Sequence, residues 1–216
     1  MQRLEEIAEK IHESFEARTA AREKALSQTR TLTRNCANAI RAIHRQDRTE
    51  AEQYLKGAKT LVETLRRDLV DYPDLFYAGY TQDALKEYAE ANVVYALFGD
   101  DALPSPEDLG LESAAYMQGL AEAVGELRRF CLDALLNSRY EEAEKSLVYM
   151  DDIYGILVTI DYPDAITGGL RRLTDIARSI TERTRGDLTM SLRQARLERS
   201  LKNIEVRLVE MGELGE

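Results

Sequence analysis

Two pairs of glutamates stand out by type and spacing. Glu87 and Glu90 lie in the run LKEYAEANVVYALF, and Glu122 and Glu126 in GLAEAVGELRRFC. The first pair is spaced i,i+3 and the second i,i+4, so on helices each pair shares one face. Glu90 also shares its direction with Val94 and Leu97, a stripe that runs from charge into core. Glu122, Glu126, Arg129 and Asp133 line one side of the other segment, behind Gly119 and the small residues Ala114 and Ala115. Carboxylates are costly to bury unless something positive meets them. Oxygen-only ligands suit a hard divalent cation such as magnesium, manganese or calcium. The alternative for the same spacing is salt bridging to the many arginines, or simple exposure.

Histidine narrows the chemistry. Paired Glu-x-x-His motifs mark a ferritin-like di-iron centre. This chain has two histidines, and only Glu9-Lys10-Ile11-His12 fits that motif. His44 is expected to pack at the end of its helix. Nucleophile elbows, Walker-type loops and dinucleotide glycine patterns do not occur. What remains for an all-carboxylate magnesium site is mainly phosphoryl chemistry, with an activated water attacking a phosphodiester.

A substrate of that kind needs cations. The net charge of −10 argues against general duplex binding, but the basic residues are unevenly spread. Between Arg18 and Arg45 the only acidic residue is Glu23. At 100° per residue, Arg30, Arg34, Arg41 and Arg45 fall within about 60° of one another. Such a stripe matches a phosphate backbone, unless acidic neighbours on the next helix neutralise it. Phe76, Tyr77, Tyr80 and Tyr88 could stack on unpaired bases, although core packing is the commoner role of such residues.

The elements that must position these side chains read as helices throughout. Four prolines and 12 glycines in 216 residues, with abundant Ala, Leu, Glu and Arg, give the composition of an all-α protein. The patterning predicts helices over about 2–45, 49–70, 74–98, 112–136 and 139–160. The stretch 164–213 reads as two helices broken near Arg185-Gly186-Asp187, or as one long bent helix. Asp-Tyr-Pro-Asp occurs at both 71–74 and 161–164, best read as two independent helix restarts. Ser105 before Pro106 can cap a short turn. The length suits one domain, residues 1–216. Apolar runs fall short of the roughly 20 residues that span a bilayer, and the amino terminus has no signal-peptide core. Cys36 and Cys131 read as reduced, buried thiols of a cytoplasmic protein.

In order and spacing, several short motifs resemble the translin family. They are Ala42-Ile43-His44 closing the first helix, Glu87-Tyr88-x-Glu90, the block from Gly119 to Cys131, and Arg185-Gly186. The similarity is greater to the translin-associated factor X branch than to translin itself. It implies an all-α bundle of about seven helices that assembles into a hollow oligomer, an octamer, around single-stranded RNA. It also implies a magnesium-dependent endoribonuclease, with manganese as a substitute, whose four acidic residues match Glu87, Glu90, Glu122 and Glu126. Position 122 carries glutamate where the branch has aspartate. Translin proper has a non-acidic residue at position 90 and basic or histidine residues across 77–81, where this chain reads Tyr77-Ala78-Gly79-Tyr80-Thr81. Arg129 matches a basic position of the family block. The expectation is a homo-oligomeric ribonuclease in which Arg30, Arg34, Arg41, Arg45 and Arg129 hold RNA. The alternative is a non-catalytic single-stranded RNA- or DNA-binding protein.

Overall fold

The computed structural model describes residues 1–213, and among them the secondary structure is entirely helical. The long elements are α1 (Gln2–His44), α2 (Arg48–Asp68), α4 (Gly79–Gly99), α6 (Ser113–Leu136), α7 (Tyr140–Leu157) and α9 (Leu170–Glu213). Three four-residue turns intervene: α3 (Pro73–Phe76), α5 (Pro106–Leu109) and α8 (Asp164–Thr167). The described residues therefore hold six long helices and three short ones, close to the expected bundle.

Local chemistry accounts for the boundaries. Asp47 caps α2 by accepting the Glu50 amide at 3.0 Å. Ser105 and Asp108 form a reciprocal capping box around α5, with Pro106 at the first helical position. The single helix expected over 74–98 is instead α3 followed by α4. Ala78 is extended between them, and the carbonyls orphaned by that break are satisfied from α4. Thr81 Oγ1 donates to Leu75 O at 2.8 Å, and Gln82 Nε2 donates to Phe76 O at 3.0 Å. The second Asp-Tyr-Pro-Asp does the same local work. It opens α8, which ends in the left-handed pair Gly168-Gly169, and Gln118 Nε2 donates to the Thr167 and Gly168 carbonyls.

Two compact units divide the chain. The first comprises Met1–Ala123 with Ile160–Leu173. Its core is the packing of α1 on α2 and α4, through Leu32, Cys36 and Ala39 of α1, Leu55 and Leu65 of α2, and Leu85 and Tyr88 of α4. His44 packs edge-on against Phe98 at 5.7 Å, as its place at the helix end predicted. The start of α6 belongs to this unit and lies hard against α4. A Cβ built on Gly119 would fall 2.6 Å from the Lys86 carbonyl oxygen, 2.8 Å from the Glu90 nitrogen and 2.6 Å from Ala89 Cβ. Only glycine permits that approach.

The second unit comprises Val124–Thr159 and the chain from Thr174. Its core joins Cys131 and Ala134 of α6, Ala143 and Leu147 of α7, and Leu188 and Leu192 of α9. The helix is continuous through Arg185-Gly186-Asp187. One interior glycine costs only about 1 kcal/mol, and the neighbouring residues are tied down. Arg128 donates to Thr184 and Asp187, each at 2.9 Å, and Arg185 donates to Asp151 at 2.5 Å.

Each unit leaves an apolar helical stripe uncovered. On α1, Leu4, Ile7, Ile11 and Phe15 are 46–64% exposed. On α9, Met190, Leu197, Leu201, Ile204 and Leu208 are 51–66% exposed at near-heptad spacing.

Glycine substitutions on α6 test the close approach. Gly119→Ala should destabilise the protein by about 1–3 kcal/mol, because the added methyl meets backbone atoms. Gly125→Ala, whose Cβ would meet nothing within 4 Å, should stabilise it by roughly 0.5–1 kcal/mol. Urea denaturation of the two variants reads both signs.

Candidate metal centre

Three of the four glutamates converge. Glu87 and Glu90 on α4 and Glu122 on α6 each offer a carboxylate oxygen, and these oxygens lie within 4.8 Å of one another. The cause is local. Glu122 stands three residues after Gly119, so the glycine contact with α4 brings the next turn of α6 up to the α4 glutamates. Glu90 is 9% exposed, while Glu87 and Glu122 are half-buried. Like charges this close repel by a few kcal/mol per pair at an effective dielectric near 20, a repulsion that a cation between them would relieve. Two oxygens on opposite sides of a magnesium, manganese or calcium ion are separated by roughly 4–5 Å, and the donors are hard oxygens alone. The residues present therefore fit a hard divalent ion.

Two contacts to the trio carry no sequence signal of their own. Lys86 Nζ donates to Glu122 Oε1 at 2.7 Å across the helix pair, with both side chains mostly buried. Burial works against its ammonium, but the hydrogen bond and charge of Glu122 outweigh it, with help from Asp83 and Glu87. The lysine pKa ends above its ordinary value. Cys36 of α1 lies behind the site, fully buried. Its thiol is pushed far up, first by burial and then by the charges of Glu87 and Glu90. Cys36 is thus a wall of the centre and not a nucleophile. The spacing of either residue resembles any other core-facing position, and only the pairing of α1, α4 and α6 reveals them.

The other expected site residues are placed elsewhere. Glu126 is not one of the three. It falls in the second unit, where Arg129 Nη1 approaches its Oε2 at 3.9 Å and is itself more than half exposed. Arg30, Arg34, Arg41 and Arg45 are all exposed on α1. At 100° per residue they lie about 120–180° around the helix from Cys36, on the side turned away from the trio. Arg45 pairs with Glu50, and Arg41 donates to Asn38 at 3.1 Å. Among the described residues Arg30 and Arg34 make no ion pair. Farther back along α1, Arg18 pairs with Asp74 and Lys24 with Asp68. Acidic neighbours on α2 and α3 thus neutralise part of the basic run, and the rest forms a surface separate from the carboxylates. Of the aromatic group, Tyr88 is core and Tyr77 is 60% exposed.

An all-α fold carrying a partly buried trio of carboxylates on two facing helices defines a helical metal-binding candidate. Comparison with known proteins supplies the family. No protein-family model matches the chain. The uncharacterised protein MJ0175 of Methanocaldococcus jannaschii is 32% identical over 192 residues, covering 88% of this chain and 84% of that one. Among solved structures, AfC3PO in complex with duplex RNA is 35% identical with a TM-score of 0.78, covering 90% of this chain and 98% of that one. A second crystal structure of AfC3PO is 34% identical, with the same TM-score, covering 90% of this chain and 99% of that one. Apo-NeC3PO, at 21% identity and a TM-score of 0.78, shares the fold. The chain belongs to the translin family, with the C3PO proteins as its structural relatives. No described helix is long and apolar enough to cross a membrane.

Burial of the two thiols sets their reactivity. Cys131, pushed up to about 11 mainly by burial, should resist Ellman's reagent at pH 8 in the native protein, and so should Cys36. Both should react fully once the chain is unfolded in guanidinium, a difference read directly by absorbance.

Proposed function

We propose that this protein is a metal-dependent endoribonuclease acting as a cytoplasmic homo-oligomer. The observation that carries this reading is the convergence of Glu87, Glu90 and Glu122 within 4.8 Å, in a chain 35% identical to a protein solved with duplex RNA. Glu90 is the acidic residue that, on the resemblance, separates the factor X branch from translin proper. Its burial beside two other carboxylates supports a ligand role over a solvated one.

Glu87, Glu90 and Glu122 would hold magnesium, or manganese in its place; Glu126, four residues after Glu122 in the sequence, is the fourth acidic residue that the resemblance implies. A divalent ion held there supplies charge that stabilises a phosphodiester in its transition state and lowers the pKa of an attacking water. The chain's own residues do the rest. The Gly119 contact fixes the spacing of the carboxylates, and the apolar wall that includes Cys36 limits water on the α1 side. Arg129, exposed beside Glu126, is available to a phosphate of the RNA. Arg30, Arg34, Arg41 and Arg45 would meet RNA phosphates away from the trio of their own protomer, as backbone contacts without sequence preference. Single-stranded RNA is the proposed substrate. Because the AfC3PO complex contains duplex RNA, duplex belongs in the same assay.

The uncovered stripes support self-association. The acidic residues Glu5, Glu6, Glu9, Glu13 and Glu16 flank the α1 stripe, and Arg193, Arg196, Arg199 and Lys202 flank the α9 stripe. Two apolar seams of opposite charge on one chain fit a contact between copies, and repetition of that contact builds a closed assembly, an octamer on the family resemblance.

Labelled single-stranded and duplex RNA, incubated with magnesium or with chelator, tests the enzyme. Cleavage should require the metal and fall roughly 100-fold or more in Glu90→Gln and in Glu126→Gln. Cleavage that survives both substitutions removes the site assignment. Salt-sensitive retention of RNA with no cleavage favours a non-catalytic binder.

For the assembly, the double variant Leu201→Asp/Ile204→Asp should run as a smaller species by light scattering after gel filtration. Its helical circular dichroism should be unchanged, because both side chains are exposed in the protomer.

A further inference from the structure

The same helix contact that gathers the carboxylates also brings them a cation of the chain's own. Lys86 precedes Glu87 directly and lies one turn before Glu90. Its side chain reaches across to α6, where Nζ donates to Glu122 Oε1 at 2.7 Å. The side chain is only 17% exposed, so its charge is held close to the trio and not spread into solvent. Its backbone is fixed, because the Lys86 carbonyl oxygen is one of the atoms against which Gly119 is packed, but the side chain beyond it is not.

An ammonium and a divalent ion in this place compete. Both are drawn by the carboxylate of Glu122, and two cations at contact distance repel each other strongly in a half-buried site. A lysine has a long flexible stem and a compact charge, so it can withdraw without moving the helix. We propose that Lys86 is a tethered counter-ion of the metal centre. It neutralises the trio while no metal is bound, and it leaves Glu122 when a divalent ion enters. Position 122 suits this exchange, since the longer glutamate arm reaches toward Lys86 where an aspartate would stop about one methylene short. The inference rests on the reading of the trio as a metal site, and it assigns to Lys86 control over how tightly and how readily that site fills. The opposing possibility is an ordinary interhelical ion pair that stays closed whether or not metal is present.

Two measurements on the full-length protein decide between them. Calorimetric titration with manganese chloride should show Lys86→Met binding the ion about tenfold more tightly than the wild type, a gain of roughly 1.4 kcal/mol. The metal-free variant should melt at a lower temperature than the metal-free wild type, and the rise in melting temperature on adding manganese should be larger. In the wild type, acetylation by a water-soluble N-hydroxysuccinimide ester, followed residue by residue by mass spectrometry, should speed up at Lys86 when manganese saturates the protein. The exposed Lys59 and Lys202 should not change. Equal manganese affinity in the variant and the wild type overturns the proposal, as does a Lys86 acetylation rate that stays constant or falls with metal. Both results leave the metal site standing. If neither form binds manganese, the metal site itself is removed, and this proposal with it.

Discussion

The close approach of α6 to α4 at Gly119 is the constraint on which the candidate site depends. A single methyl at that position would overlap the backbone of Lys86 and Glu90. With hydrogen there, the helices come close enough for Glu122 to share space with Glu87 and Glu90. Carboxylates gathered this way repel one another, and positive charge nearby relieves that repulsion. Lys86 relieves it in part. In the proposed function a divalent ion relieves it fully, and the tension between the two cations follows from one helix crossing.

The first helix serves two purposes on two faces. Its inner face, through Leu32, Cys36, Ala39 and Ile43, completes the core around α2 and α4, and Cys36 on that face lies near enough to Glu87 and Glu90 to feel their charge. Its outer face carries the arginine stripe, directed away from that site. A protomer therefore separates its candidate chemistry from most of its candidate phosphate contacts. In the proposed hollow assembly that separation would have a use, since a surface remote from one trio would be free to steer RNA along the interior. The uncovered apolar seams of α1 and α9, with opposite charge beside them, point the same way.

Within the translin family the substitution of glutamate at position 122 acquires a physical meaning. A longer side chain at this place can still present an oxygen to Glu87 and Glu90, and it also reaches the Lys86 ammonium. Where the resemblance implies aspartate, glutamate thus differs in what its carboxylate touches as well as in how far it extends.

The sequence by itself determined the helical class, most helix limits and the candidate acidic residues. These depend on short-range rules: 3.6-residue periodicity, the caps at Asp47 and Ser105, and the halt before Pro73 and Pro163. It did not reveal the split between α3 and α4, which rests on side-chain hydrogen bonds from Thr81 and Gln82 back to the preceding turn. Nor did it settle whether the chain breaks at Gly186, where the helix runs on without interruption beside ties from Arg128 and Arg185. Only the tertiary structure decided that Glu87, Glu90 and Glu122 meet, that Lys86 and Cys36 belong to their surroundings, and that the arginine stripe faces the other way. Periodicity fixes the face a residue occupies on its own helix. Which helix that face meets is set by packing between segments far apart in the chain, and no local spacing encodes it.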